Sequence, residues 1–209
     1  MADGREPPEP FGRRAESARG EQGKRKPAHE RRAELLDHAV RSYLELGIGR
    51  AGHGDVAKRA GVSTGTVFNY FPTREALTDA VLAHVSEVIL RFFNYVSTQD
   101  SIEATLDHYR EALIGSCERA PNEIKLFLTW ANSFSPDVRP AYLELQDEII
   151  ARISAHTGGE ATVARVVFGA GQMFMQMVFD GTSTQALKDF ADRVGWGAAL
   201  AAQAREGAG

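Results

Sequence analysis

Residues 61–75 decide the fold, and they read Gly-Val-Ser-Thr-Gly-Thr-Val-Phe-Asn-Tyr-Phe-Pro-Thr-Arg-Glu. Gly61 follows a short amphipathic run, at a point where a sharp turn between helices needs a residue that tolerates positive φ. Ser63 can cap a second helix by accepting a hydrogen bond from its free N–H groups, and Pro72 then stops that helix. Two short helices joined by a tight glycine turn predict a helix-turn-helix, the DNA-binding motif whose second helix is the recognition helix.

The remainder of the chain is also predicted to be helical. β-branched residues nowhere alternate with polar ones for long, which is the pattern that a half-buried strand would show. The fold class is therefore all-α, a three-helix DNA-binding head with a helix-turn-helix followed by a larger helical body. Helical spacing, caps and breakers place helices as follows: one ending at Gly47, the motif at about 54–60 and 63–70, one after Pro72, one from Ile102 to near Arg119, one from Pro121 to Phe134, one opened by Ser135-Pro136-Asp137 and closed by Gly158, and two at about 161–179 and 184–203.

Composition and charge divide the chain into unequal parts. Residues 1–26 are rich in Pro, Gly, Glu and Arg and are predicted to be a disordered basic arm, ahead of a DNA-binding domain at 27–73 and a body at 74–209. Residues 1–74 hold 14 Lys and Arg against 10 Asp and Glu, a net +4, whereas residues 75–209 hold 10 against 18, a net −8. A basic part joined to an acidic remainder suits a head that contacts DNA on a body that does not.

Several other classes of protein are disfavoured by the sequence. Cys117 is the single cysteine, so we expect no disulfide framework and a reducing, cytoplasmic environment. No apolar run approaches the ~20 residues that a membrane span needs. The histidines show no metal-binding pair at helical spacing, and no constellation of paired acids with a histidine is visible. We therefore expect no metal, no cofactor and no enzymatic activity.

One glycine-rich segment imitates a nucleotide-binding motif. Residues 47–52, Gly-Ile-Gly-Arg-Ala-Gly, match the dinucleotide fingerprint G-x-G-x-x-G. That fingerprint works after a strand and at the start of a helix within a βαβ unit. Here a helix precedes it and no strand is predicted, so the glycines are assigned to a tight turn between helices.

The helix-turn-helix resembles that of the tetracycline-repressor (TetR) family of bacterial regulators, and more closely the LuxR/HapR-type quorum-sensing branch of vibrios. The resemblance rests on Gly-His-x-Asp-Val-Ala at 52–57 and on the string from Thr66 to Glu75, and it is strong over about residues 28–90. It implies a homodimer on double-stranded DNA, with each recognition helix in a major groove of a near-palindromic site. It also implies that the last two helices pair between subunits and that the body encloses a ligand cavity.

Candidate DNA-binding residues follow from the motif and from the resemblance. The first turn of the recognition helix comes closest to base edges, and its small and hydroxylated side chains suit that approach. Residues at the far end of this helix are better placed to contact phosphate than bases. Arg74 resembles the family's basic phosphate contact. Phe68 and Phe71 are assigned to the core of the head, because aromatic residues at helical spacing usually pack there. For Ser63, a role as the helix cap alone is the alternative to a contact with DNA. The proposed DNA-binding set in the head is His53, Gly54, Ser63, Thr64, Gly65, Thr66, Asn69, Tyr70 and Arg74.

The basic arm offers two interpretations. Arg25 and Lys26 precede the first helix, and Arg25 falls where the resembling branch has an arginine that reaches the minor groove. The arm reads Gly-Lys-Arg-Lys-Pro, which departs from the Arg-x-Arg pattern expected of that branch. Both interpretations, an arm that binds the minor groove and a solvated basic tail, are therefore kept.

The body is rich in large, soft side chains that could enclose an apolar small molecule, although core packing explains each one equally well. Gly169, Ala170 and Gly171 would allow close contact between helices, as a dimer face requires. The candidate pocket residues are Phe92, Tyr109, Cys117, Trp130, Phe134, Met173, Phe174 and Met177.

These features favour a sequence-specific, dimeric transcription regulator without a membrane anchor, possible effectors being apolar small molecules. The alternative is an architectural or weakly specific DNA-binding protein, which would carry basic charge along its whole length. A further alternative, an all-α enzyme, would require a set of catalytic residues such as paired acids with a histidine, or metal ligands at helical spacing.

Overall fold

The computed structural model describes residues 27–93, 102–156 and 161–194, and its regular structure there is entirely helical. The predicted all-α fold is therefore confirmed. The helices are α1 (Ala28–Leu46), α2 (His53–Ala60), α3 (Thr64–Tyr70), α4 (Arg74–Phe92), α5 (Ile102–Arg119), α6 (Pro121–Ala131), α7 (Arg139–His156), α8 (Ala161–Phe179) and α9 (184–194, up to the last described residue).

The turns of the head are formed by the residues that the sequence singled out. Gly47 ends α1 with φ at 90°, and Gly61 ends α2 in the left-handed region with φ at 66°. Side chains bearing Cβ are strained at such angles, so both turns depend on glycine. Ser63 caps α3, because its Oγ accepts a hydrogen bond from the Thr66 backbone N–H at 3.1 Å. Local chemistry therefore sets the geometry of the helix-turn-helix.

The glycine-rich segment at 47–52 has the role of a connector. It joins α1 to α2, with Gly47 ending one helix and Gly52 preceding the other. The described parts of the chain hold no strand that could precede it, as a dinucleotide site would require.

The head and the body share one hydrophobic core. α1 packs against α2, and it also packs against α4 and α6 of the body. Most of the buried side chains form one continuous cluster, which runs from Leu35 in α1 through Val81 in α4 and Phe127 in α6 to Phe168 in α8. α4 and α6 therefore connect the body directly to α1 of the head.

A polar contact joins α4 to α6 beside this core. His84 Nε2 lies 3.5 Å from Glu123 Oε1, and the glutamate is largely covered. The hydrogen bond from His84 is the main influence that lowers the pKa of the Glu123 carboxyl. The ionised carboxylate is thus the form that the junction stabilises.

The connection between α6 and α7 differs from the prediction. α6 ends at Ala131 rather than Phe134, and residues 136–138 form a turn before α7 begins at Arg139. Two side-chain hydrogen bonds explain the early end, since Trp130 Nε1 donates to the Val138 carbonyl at 3.0 Å and Arg139 Nη1 donates to the Ala131 carbonyl at 3.1 Å. Within the described segments, none of the helices has the length and apolar character that crossing a bilayer would take.

Candidate DNA interface

The recognition helix α3 has one buried face and one open face. Val67 and Phe71 are 0% and 1% exposed and attach the helix to the core of the head. Thr64, Gly65 and Asn69 are exposed on the other side. A Cβ added at Gly65 would meet only Ser63 Oγ, at 3.8 Å, so another molecule can approach the backbone of α3 closely at this point. The first turn therefore has the small, polar, accessible surface that base contacts require.

The two hydroxyls at the start of α3 are bonded to each other. Ser63 Oγ and Thr66 Oγ1 lie 2.8 Å apart, and the same serine oxygen caps the helix. Ser63 therefore has a structural role, whichever contacts it makes outside the protein. Thr66 is half-buried, so its methyl and hydroxyl groups are held in a fixed orientation at the edge of the open face.

Arg74 lies just beyond the recognition helix, as the first residue of α4. Its guanidinium donates to the Gly49 carbonyl at 2.6 Å, which ties the start of α4 to the α1–α2 connection. The side chain stays exposed, so its other N–H groups face solvent. Tyr70 is half-buried at the end of α3, and Gly54 is exposed on α2.

His53 does not lie where a DNA contact would have to lie. It is 7% exposed, and its Nε2 lies 2.7 Å from the Phe71 carbonyl oxygen, inside the head. A side chain with this burial and this partner acts within the protein, and we reassign it from DNA contact to support of the recognition helix.

Phe68 was assigned to the core, and that prediction is wrong. It is 45% exposed, and its ring stacks on His53 with centroids 3.9 Å apart and an interplanar angle of 6°. The rule that aromatics at helical spacing are packing residues holds for Phe71 but fails for Phe68, because α3 is short and only one of its flanks meets the core. Sequence reasoning thus missed an apolar candidate for base contact, and no local signal separated the two phenylalanines.

The candidate pocket residues of the body fall into three groups, which differ in burial. Phe134 is 80% exposed and Met173 is 49% exposed, so neither encloses a cavity within the subunit, and these two predictions are corrected. Trp130 is 1% exposed and is fixed by its bond to the Val138 carbonyl, which makes it a core residue. Cys117 is buried, and burial raises the pKa of its thiol to about 11.

The remaining candidates lie around α4, α5, α8 and α9. The Phe92 and Tyr109 rings are 5.7 Å apart, and burial raises the pKa of Tyr109 to about 12. Phe174 is buried beside Phe190 of α9, with ring centroids 6.4 Å apart, and Met177 is half-buried. Arg25 and Lys26 of the arm lie outside the described residues.

A family model described as "Bacterial regulatory proteins, tetR family" matches residues 35–81, which contain the helix-turn-helix described above. The helix-turn-helix segment of the chain is thus similar to that of the TetR family. The HTH-type transcriptional regulator LuxR of Vibrio harveyi is 38% identical over 120 residues. This match covers 54% of the chain and 56% of LuxR, so the chain spans little more than half the length of that relative. The curated relatives that the chain matches here are named as transcriptional regulators.

Solved structures extend the likeness of the fold to the body of the chain. A TetR-like transcriptional regulator from Rhodococcus sp. RHA1 superimposes with a TM-score of 0.70 at 16% identity, covering 82% of this chain and 97% of that one. The multidrug binding protein EbrR, complexed with imidazole, superimposes with a TM-score of 0.59 at 23% identity, covering 82% and 95%. At these identities the likeness concerns the fold alone.

Proposed function

We propose that this chain is a TetR-type, sequence-specific, DNA-binding transcription regulator that acts as a homodimer on a near-palindromic operator. The observation that carries the proposal is the open first turn of α3, held rigidly by the Ser63 cap and the Gly61 turn. Two such helices in one dimer would enter major grooves about 34–36 Å apart. Such a protein works where the chromosome is, in the cytoplasm.

The roles of the exposed residues follow from where they lie on the helix. Thr64, Gly65 and Thr66 would meet base edges, because they combine accessibility with hydroxyl and methyl groups that suit base recognition. Asn69 and Tyr70 would contact phosphate from the far end of α3. Arg74 would contact phosphate with the guanidinium N–H groups that its bond to Gly49 leaves available.

The last two helices would form the dimer interface. Val166 and Met173 on α8 are 58% and 49% exposed, and the exposed Gly169 lies between them at helical spacing. An apolar stripe with a glycine at its centre suits close packing against the same helix of a second copy. The pairing of Phe174 with Phe190 would make α8 and α9 one unit in that interface.

An apolar effector would enter the body near Phe92, Tyr109 and Met177. These side chains are half-buried, between the burial of Trp130 and the exposure of Phe134. Because α4 and α6 pack on α1, a ligand that favours one arrangement of the body helices would shift the separation of the two heads. Arg25 and Lys26 would add minor-groove contacts from the arm.

Selection of bound duplexes from a random library by the full chain tests the proposal directly. We expect a near-palindromic consensus and an operator affinity at least about 1,000-fold above that for random duplex at the same salt. Sedimentation at micromolar concentration should show a dimer. A Gly65→Leu variant is the matched negative, because the larger side chain blocks approach to α3 while remaining in the helix. A library that yields no consensus would contradict sequence-specific binding, and a monomer would contradict the proposed interface.

A further inference from the structure

His53 connects two points of the head that are distant in sequence. It is the first residue of α2, and it is one of two buried polar residues in the described part of the chain. Its Nε2 lies 2.7 Å from the Phe71 carbonyl oxygen, 18 residues further on. A carbonyl oxygen only accepts, so Nε2 carries the hydrogen and donates it.

This hydrogen bond satisfies a carbonyl that the recognition helix leaves without a helical partner. Phe71 caps the end of α3, and Pro72 follows it and has no N–H to offer. An unpaired carbonyl at a buried position costs free energy, so the His53 donor stabilises the turn between α3 and α4. The buried donor thereby anchors the chain at the point where Pro72 ends α3.

The face of the same imidazole supports Phe68. The two rings are parallel within 6° with centroids 3.9 Å apart, and Phe68 is 45% exposed despite this contact. One side of the phenyl ring is therefore held against the protein, while the other side and the edge face solvent. Phe68 follows Thr64 by one helical turn, so the two share a flank of α3.

An exposed phenyl ring on a recognition helix has a specific use. The C5-methyl group of thymine is an apolar feature of the major groove, and phenylalanine is among the side chains that contact it. A free phenyl ring would lose rotational freedom on binding, whereas a ring already stacked in place loses less. The stack on His53 thus prepares Phe68 for an apolar contact with DNA.

We infer that His53 is a positioning residue for base recognition, which holds Phe68 against a thymine methyl group in each half-site while never touching DNA itself. The inference rests on the proposed function and deepens it. A purely structural role for His53 is the competing explanation, and it predicts a loss of folded protein without any change in base preference.

Two variants separate the two functions of the imidazole. His53→Gln retains an N–H donor for the Phe71 carbonyl but removes the flat ring beneath Phe68. His53→Phe retains a ring for stacking but removes the donor, so it should lower thermal stability. The inference concerns the ring. His53→Gln should therefore be the more stable variant but lose the support of Phe68 in DNA recognition, whereas His53→Phe should be less stable but keep that support.

The measurement uses the operator selected by the full-length protein, with each thymine replaced in turn by deoxyuridine, which lacks the methyl group. For the wild type we expect one thymine position per half-site at which the replacement weakens binding about fourfold, the contribution of one buried methyl group. Phe68→Ala and His53→Gln should lose this sensitivity, and His53→Phe should keep it. The ratio of affinities for the two duplexes is insensitive to the fraction of protein that is folded.

Failure of this inference is distinguishable from failure of the proposed function. A wild-type protein that selects an operator but shows no deoxyuridine-sensitive position overturns the role of Phe68 alone. Full sensitivity of His53→Gln to deoxyuridine overturns the role of the histidine. Loss of this sensitivity in His53→Phe, which keeps a ring, overturns it as well. A wild-type protein that selects no operator overturns both proposals.

Discussion

The head and the body treat their aromatic residues in opposite ways. In the head, Phe68 lies 45% exposed on a buried histidine, so the polar ring is inside and the apolar ring is outside. In the body, Trp130 is 1% exposed and forms a hydrogen bond inside the core, while the exposed Phe134 stacks beside Arg139 at the surface. The comparison teaches that exposure alone does not distinguish the two rings, whereas the group on which each ring rests does: a buried imidazole for Phe68 and the Arg139 guanidinium for Phe134.

Among the variants that test this comparison, Trp130→Ala should have the largest effect. The substitution removes a buried indole and the hydrogen bond that its N–H donates to the Val138 carbonyl, so the free energy of unfolding should fall by about 3–5 kcal/mol. Thermal or urea unfolding measures this loss. Phe134→Ala is the matched control, because that ring is 80% exposed and its removal should change stability by less than about 0.5 kcal/mol. Equal losses in the two variants would mean that burial does not separate the two aromatics.

Thr66→Ala tests the open face of the head. Loss of the methyl and hydroxyl groups should relax base preference at one position per half-site, at a cost of about 1–3 kcal/mol for the preferred base. Binding titrations with operators altered at single positions measure this effect. Thr129→Ala, at an exposed position on α6 of the body, should leave the preference unchanged. If both variants keep the wild-type preference at every position, Thr66 makes no base contact.

Arg74→Ala tests the phosphate contacts at the border between head and body. Affinity should fall on operator and random DNA alike, and the slope of log K against log salt should decrease by about 1 per subunit, because fewer counterions are released. Titrations at several salt concentrations give the slope. Arg91→Ala removes an exposed arginine near the other end of the same helix and should leave the slope unchanged. A fall confined to the operator would assign Arg74 to base recognition instead.

The smallest expected effect is a pH dependence of stability at the α4–α6 junction. The pKa of Glu123 is lowered in the folded protein, so its ionised form contributes stability above the ordinary glutamate value of 4.5. That contribution is lost as the pH falls through the folded-state pKa. Urea unfolding between pH 7 and pH 3 should show that Glu123→Gln loses less stability on acidification than the wild type, by about 0.5 kcal/mol for this partly exposed pair. A Glu111→Gln control, at an exposed position on α5, should follow the wild type. Identical curves for all three proteins would remove this junction as a source of acid sensitivity.

Sequence alone determined the elements whose causes are local. Gly61 in the left-handed region, the Ser63 cap and the stop at Pro72 act within a few residues, so the helix-turn-helix follows from them wherever the chain is placed. The bounds of α8 were predicted at about 161–179, and the structure has Ala161–Phe179. The first turn of α3 was recognisable as a candidate site because its small residues are consecutive.

Tertiary structure decided which side chains are buried and what they contact. Phe68 and Phe71 are three residues apart on one helix, yet only packing against the rest of the head puts one outside and the other inside. His53 became a support when the turn after α3 brought the Phe71 carbonyl to its ring, across 18 residues. The bonds from Trp130 and Arg139 likewise replaced a predicted helix start with a turn. Burial depends on all the elements that meet at a point, and the spacing within a single helix contains no information about where the others lie.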